Sequence, residues 1–162
     1  MPDSLVINTT PLLSLIAAQG SLALLGELYR KVVVPLEVAT EVRAGGKTAF
    51  GVAEFEMARF LDVRAGPTSI SPLLAAQLDQ GEAAVIQLAI SEHFDTVCID
   101  ETVGRRIARL SGLKVTGSIG ILLRAKLEGR PVSLKDSISR MRSHGIWVSR
   151  EVELEAMRLS GE

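Results

Sequence analysis

Short apolar runs alternate along this chain with longer stretches in which apolar residues recur every three or four positions. The runs at 4–8, 31–35 (Lys-Val-Val-Val-Pro), 96–100 and 113–116 predict strands, with weaker ones at 61–65 and 145–149. Between them the helical period takes over. A first helix is expected from Thr10 as N-cap and Pro11 at the first helical position, stopped by Gly20, and a second from Ser21 to about Tyr29. Pro35 opens a helix to about Arg43 that Gly45-Gly46 terminates. Further helices are predicted at 48–60, at 71–78 after the Gly66-Pro67 turn, and from Gly81-Glu82 to about Glu92. The remaining ones span 102–111, 117–128, 133–144 and 151–159. Strands alternating with helices mark βαβ units, so the fold class is α/β with a mostly parallel central sheet.

A length of 162 residues, 47% of them hydrophobic, suits a single domain over 1–162 and leaves no room for a second. With only 4% aromatics, the core must be built from Val, Leu, Ile and Ala, and base-stacking platforms for single strands are not expected. Met1-Pro-Asp-Ser leads into the first strand without a basic or long apolar leader, and every apolar run is broken well before ~18 residues. A cytoplasmic protein with no membrane span is therefore expected. The single cysteine, Cys98, lies mid-strand as a small buried hydrophobe and can form neither an internal disulfide nor a zinc motif.

The net charge of −1 hides an asymmetry: residues 101–150 carry a net +8 and the rest −9. Such a basic segment suits a phosphate backbone, although solvated helices account for it equally well. A mean hydropathy of +0.28 leaves apolar surface beyond the needs of a core, which favours a homodimer.

The candidate chemistry lies at strand ends. Asn8 follows Ser4-Leu5-Val6-Ile7 and Asp100 follows Thr96-Val97-Cys98-Ile99, while Glu41 and Glu82 sit in helices after turn signals. The carboxyl ends of parallel strands open onto the ligand crevice, where such residues can converge and bind a hard cation through oxygen. A carboxylate closing an apolar strand needs a partner or a metal, but Asp100 could equally cap the helix beginning near Thr102. Glu82 in a first helical turn would complement the helix dipole with or without metal. Gly46-Lys47-Thr48 lacks the earlier glycine and the preceding strand of a phosphate loop, and no Gly-x-Gly-x-x-Gly follows a strand. His93 and His144 fall at helix ends, where an imidazole caps carbonyls, and Ser118 has no nucleophile pattern around it.

The order of segments is more specific than any one of them. Val6-Ile7-Asn8-Thr9-Thr10-Pro11-Leu12, Val34-Pro35 with Val38 and Glu41, Gly81-Glu82-Ala83, Ile99-Asp100-Glu101 and Val115-Thr116-Gly117-Ser118-Ile119-Gly120 together resemble the PIN domain family, in a branch related to the VapC-like toxins. The resemblance covers about residues 4–130, with 131–162 as a C-terminal helical and strand extension. It implies a three-layer α/β/α domain that cleaves RNA with Mg²⁺ or Mn²⁺. It also implies that Asn8, Glu41, Glu82 and Asp100 are the catalytic and metal-binding positions, with Glu101 as an auxiliary acid and Thr116 and Ser118 as polar neighbours. Arg105 and Arg106 would position the RNA backbone. The first position departs from the family pattern, because an amide supplies no charge. A metal-dependent ribonuclease follows, acting as the toxin of a toxin–antitoxin pair with an antitoxin protein as second partner. The alternatives are a non-catalytic PIN-like module that binds nucleic acid or protein through a degraded metal site, and an unrelated doubly wound domain for a small nucleotide. The missing glycine-rich loop counts against the latter.

Overall fold

The computed structural model describes residues 3–162; Met1 and Pro2, where the reading of a leaderless start begins, lie outside the described residues. In chain order the elements are β1 (Ser4–Ile7), α1 (Thr9–Gln19), α2 (Ala23–Leu28), β2 (Lys31–Val34), α3 (Leu36–Arg43), α4 (Val52–Met57), β3 (Asp62–Val63), α5 (Pro72–Gln77), α6 (Gln80–Ser91), β4 (Thr96–Cys98), α7 (Thr102–Leu110), β5 (Lys114–Thr116), α8 (Ser118–Leu127), α9 (Leu134–Ser143) and α10 (Arg150–Ser160). The strands form one sheet in the order β3-β2-β1-β4-β5, every pair parallel. Helices cover both faces, giving the three-layer α/β/α arrangement.

Burial explains the strand composition. Leu5, Val6, Ile7, Val32, Val33, Val34, Val97 and Cys98 are closed to solvent on both faces, so the runs read as continuous apolar rather than alternating. β1 sits at the centre, with Ile7 opposite Cys98 of β4 and Val6 opposite both Val33 and Val97. α6 lies on β1 and β4 and packs with α3, α5 and α7; α8 and α9 pack with α1 and α10. Among the described residues no helix is long and apolar enough to cross a membrane.

Two sequence expectations fail. The stretch 145–149 is not a strand: Ile146 donates its N–H to Met141, and the Val148 carbonyl accepts from Arg142 at 2.8 Å, so α9 satisfies this backbone without any sheet edge. α1 also begins earlier than Thr10, with Asn8 as its N-cap and Thr9 and Thr10 already helical. Pro11 then falls in the first turn, where no intrahelical partner awaits its missing N–H. His144 does cap the end of α9, its Nδ1 lying 2.9 Å from the Arg140 carbonyl.

Candidate metal centre

The connection from β1 runs through α1 and α2 to β2 on one side of the sheet, whereas β4 continues through α7 to β5 on the other. Adjacent parallel strands whose connections diverge leave a crevice at their carboxyl ends. Asn8 follows β1 directly and donates its N–H to the Cys98 carbonyl at 3.0 Å, so the amide is fixed at this crevice by the sheet itself. Its side chain is 6% exposed, yet makes no capping hydrogen bond to α1.

Asn8, Glu41 and Asp79 face one point. A Cβ placed on Gly81 would lie 3.0 Å from Glu41 Oε2, 3.1 Å from Asn8 Oδ1 and 3.6 Å from Asp79 Oδ1. Glu41 reaches this point from the last turn of α3 and Asp79 from the N-cap of α6. The glycine between them keeps the space open.

Glu82, one residue further along α6, turns inward and is only 5% exposed. Its Oε2 is buried without a hydrogen-bond partner. Burial, reinforced by Asp79 and Glu101, pushes its carboxyl up to about 8. Gly104 of α7 makes room for it, since a Cβ there would collide with Glu82 Oε2. Glu101 is the N-cap of α7, accepting from Gly104 N–H at 3.0 Å, so the capping role open to Asp100 belongs to its neighbour.

Asp100 is instead held from the far side. It accepts 2.7 Å and 2.9 Å hydrogen bonds from the N–H and hydroxyl of Ser118, at the start of α8. Burial raises its carboxyl, while the Ser118 bonds and the Arg105 charge pull it back. Arg105 donates to the Ile99 carbonyl at 2.8 Å, and a Cβ on Gly117 would lie 2.6 Å from Asp100 Oδ1 and 2.7 Å from Arg105 Nη1. The guanidinium is thus turned into the crevice beside Asp100. Thr116 closes β5 next to this group, its hydroxyl facing Gly120.

Arg106 and Arg109, three apart on α7, are exposed. Much of the remaining basic segment is committed elsewhere: Arg124 pairs with Glu128, Arg130 with Glu27 and Arg142 with Glu153, and Arg140 donates to the Ala18 carbonyl.

The site residues missed in the sequence are Asp79 and Gly104; Gly81 and Gly117 stand in quoted segments, but the space they keep open was not read from them. Asp79-x-x-Glu82 has the spacing of a capping box, and Asp79 does accept from Glu82 N–H at 2.8 Å. A glycine's emptiness leaves no comparable trace. The donor set is all oxygen, as a hard divalent cation requires. The orphaned Glu82 Oε2, the uncapping Asn8 amide and the space at Gly81 fit such an ion. Among the described residues no three His, Cys, Asp or Glu side chains are grouped tightly enough to hold a metal. A family model described as a PIN domain matches residues 4–162. No curated protein and no solved structure matches the chain.

Proposed function

The chain belongs to the PIN domain family, a nuclease fold, and from that premise we propose that it is a ribonuclease hydrolysing RNA phosphodiester bonds with Mg²⁺ or Mn²⁺. The observation that carries this reading is Glu82: a buried carboxyl, one oxygen of it without a hydrogen-bond partner, set among other acids at the crevice where the central strands end. Such burial is costly unless the group keeps a proton or meets a cation.

In this reading Glu41, Glu82 and Asp100 would hold the ion, and the Asn8 amide would orient a ligand water. A bound divalent cation lowers the pKa of water and stabilises charge on a scissile phosphate. Ser118 keeps Asp100 aimed at the crevice and Glu101 fixes the start of α7, while burial, with Asp79 and Glu101 beside it, favours the proton-bearing form of Glu82 when no cation is bound. Arg106 and Arg109 on the outer face of α7 contact the RNA backbone with little base readout, and Arg105 acts as the internal counter-charge of Asp100. The cellular setting is that of a cytoplasmic toxin held by an antitoxin; a small DNA-binding protein encoded beside this chain is the observation that tests it. A homodimer belongs to the same reading, since Met57 at 79% and Trp147 at 84% exposure are apolar surface that association can cover.

The deciding experiment is Mn²⁺ titration with RNA cleavage on wild type and Asp100→Asn. Binding and cleavage by wild type, both lost in the variant, are expected. A second reading draws on the lack of a tight ligand group among the described residues: a non-catalytic module that binds nucleic acid or protein. It predicts no Mn²⁺ site in the crevice and RNA that is bound but left intact.

A further inference from the structure

We propose that Asp79 is a ligand of the same cation, supplying the negative charge that the Asn8 amide lacks; this rests on the metal reading above. Three oxygens, from Asn8, Glu41 and Asp79, bracket the vacant Cβ position of Gly81, and one of the three comes from an acid outside the set Asn8, Glu41, Glu82 and Asp100. The Asn8 side chain, more than nine-tenths buried, points into this space without capping its own helix. That is the disposition of a ligand rather than of a cap.

Asp79 is placed to serve both halves of the crevice. Its Oδ1 caps α6 through Glu82 N–H at 2.8 Å, which fixes the carboxylate at the helix start. On one side it borders the Asn8 and Glu41 oxygens, and on the other it acts on the buried Glu82 carboxyl. A cation there would neutralise acids that otherwise repel one another across Gly81. Because the charge count of the ligands tunes affinity for hard cations, a neighbouring carboxylate offsets a neutral first position.

The test is Mn²⁺ binding by calorimetry on wild type, Asp79→Asn and Asp79→Ser, with thermal melts in chelator. Asn and Ser are N-caps comparable to Asp, so α6 should be kept, and with one of the repelling acids removed the metal-free melting temperature should not fall. The expected result is a loss of Mn²⁺ affinity of about tenfold or more in both variants, with Asn8→Asp restoring binding in the Asp79→Asn background. A role confined to capping predicts unchanged affinity in Asp79→Asn, which would overturn the proposal while leaving the metal site standing. Wild type that takes up no Mn²⁺ would remove the metal reading itself, and Asp79 with it.

Discussion

Ser118 closes on Asp100 with two atoms at once, its backbone N–H at 2.7 Å and its hydroxyl at 2.9 Å. A residue at the junction of β5 and α8 thereby sets the aim of a carboxylate at the junction of β4 and α7. The two junctions are neighbours only because β4 and β5 pair in parallel, with Cys98 opposite Thr116.

Replacing Ser118 by Ala removes the hydroxyl bond and keeps the N–H bond. A hydrogen bond to a charged group contributes about 1.5–3 kcal/mol, and the retained N–H bond should hold the loss to the lower end of that range. Asp100, raised by burial and pulled back by Ser118, should titrate higher still in the variant. Urea denaturation reads the first effect and carboxyl NMR titration the second; an unchanged Asp100 titration would mean that the hydroxyl bond is not formed in solution.

Metal-free stability should fall as pH rises. The Glu82 carboxyl titrates near 8 in the folded chain against an ordinary value of 4.5, so between those values the folded state holds a proton that the unfolded state has released. Its stabilising contribution is full below 4.5 and is lost as pH passes through about 8. One such proton gives a slope of up to ~1.4 kcal/mol per pH unit. Chelator-treated melts across this window should show the decline in wild type and a flatter profile in Glu82→Gln. Equal slopes in the two proteins would mean that Glu82 is ionised throughout.

Gly81→Ala separates folding from ligation. Gly81 lies in the first turn of α6, two residues past its N-cap Asp79, so alanine there gains less than the ~1 kcal/mol it gains over glycine in a helix interior. Against that gain, the new methyl would stand 3.0 Å from Glu41 Oε2 and 3.1 Å from Asn8 Oδ1, close enough to push both aside. Glu41 is exposed and can yield, so the melting temperature should change little while Mn²⁺ affinity drops. Calorimetry on the variant checks this, and undiminished affinity would place the ion away from Gly81.

Arg106→Ala should weaken RNA binding and reduce the slope of log affinity against log salt by about 1, the amount lost with one phosphate contact. Arg105→Ala should behave differently, because its guanidinium already serves the Ile99 carbonyl and stands beside Asp100. Its loss should raise the Asp100 titration rather than lower the salt slope. Filter binding over a salt series distinguishes the two.

Strand positions and the ends of β1 and β4 were legible because burial on both faces leaves uninterrupted apolar runs, and Asn8 and Asp100 stand out by ending them. The extra strand at 145–149 was misread because apolar alternation says nothing about whether a neighbouring edge exists to pair with. The start of α1 was misplaced for a related reason: the Thr-Thr-Pro segment satisfies cap preferences at more than one register, and tertiary contact selects Asn8. Asp79 escaped notice because its capping role is local, whereas its neighbours Asn8 and Glu41 come from segments far away in the chain. The basic balance of 101–150 left a phosphate-binding segment and solvated helices equally open, because ion pairs such as Arg130 with Glu27 depend on folding and cannot be counted from composition.

Cys98 gives the molecule a clock. The only thiol in the chain is fully buried in β4, hydrogen-bonded strand to strand with both β1 and β5, and burial and the nearby Asp100 charge hold it well above the normal thiol range. Reagents that trap thiolates should leave it untouched until the central sheet parts. Labelling kinetics on the unmodified protein would therefore time the opening of the strand that carries Asp100, and slower labelling with Mn²⁺ present would reveal a bound ion without any RNA in the tube.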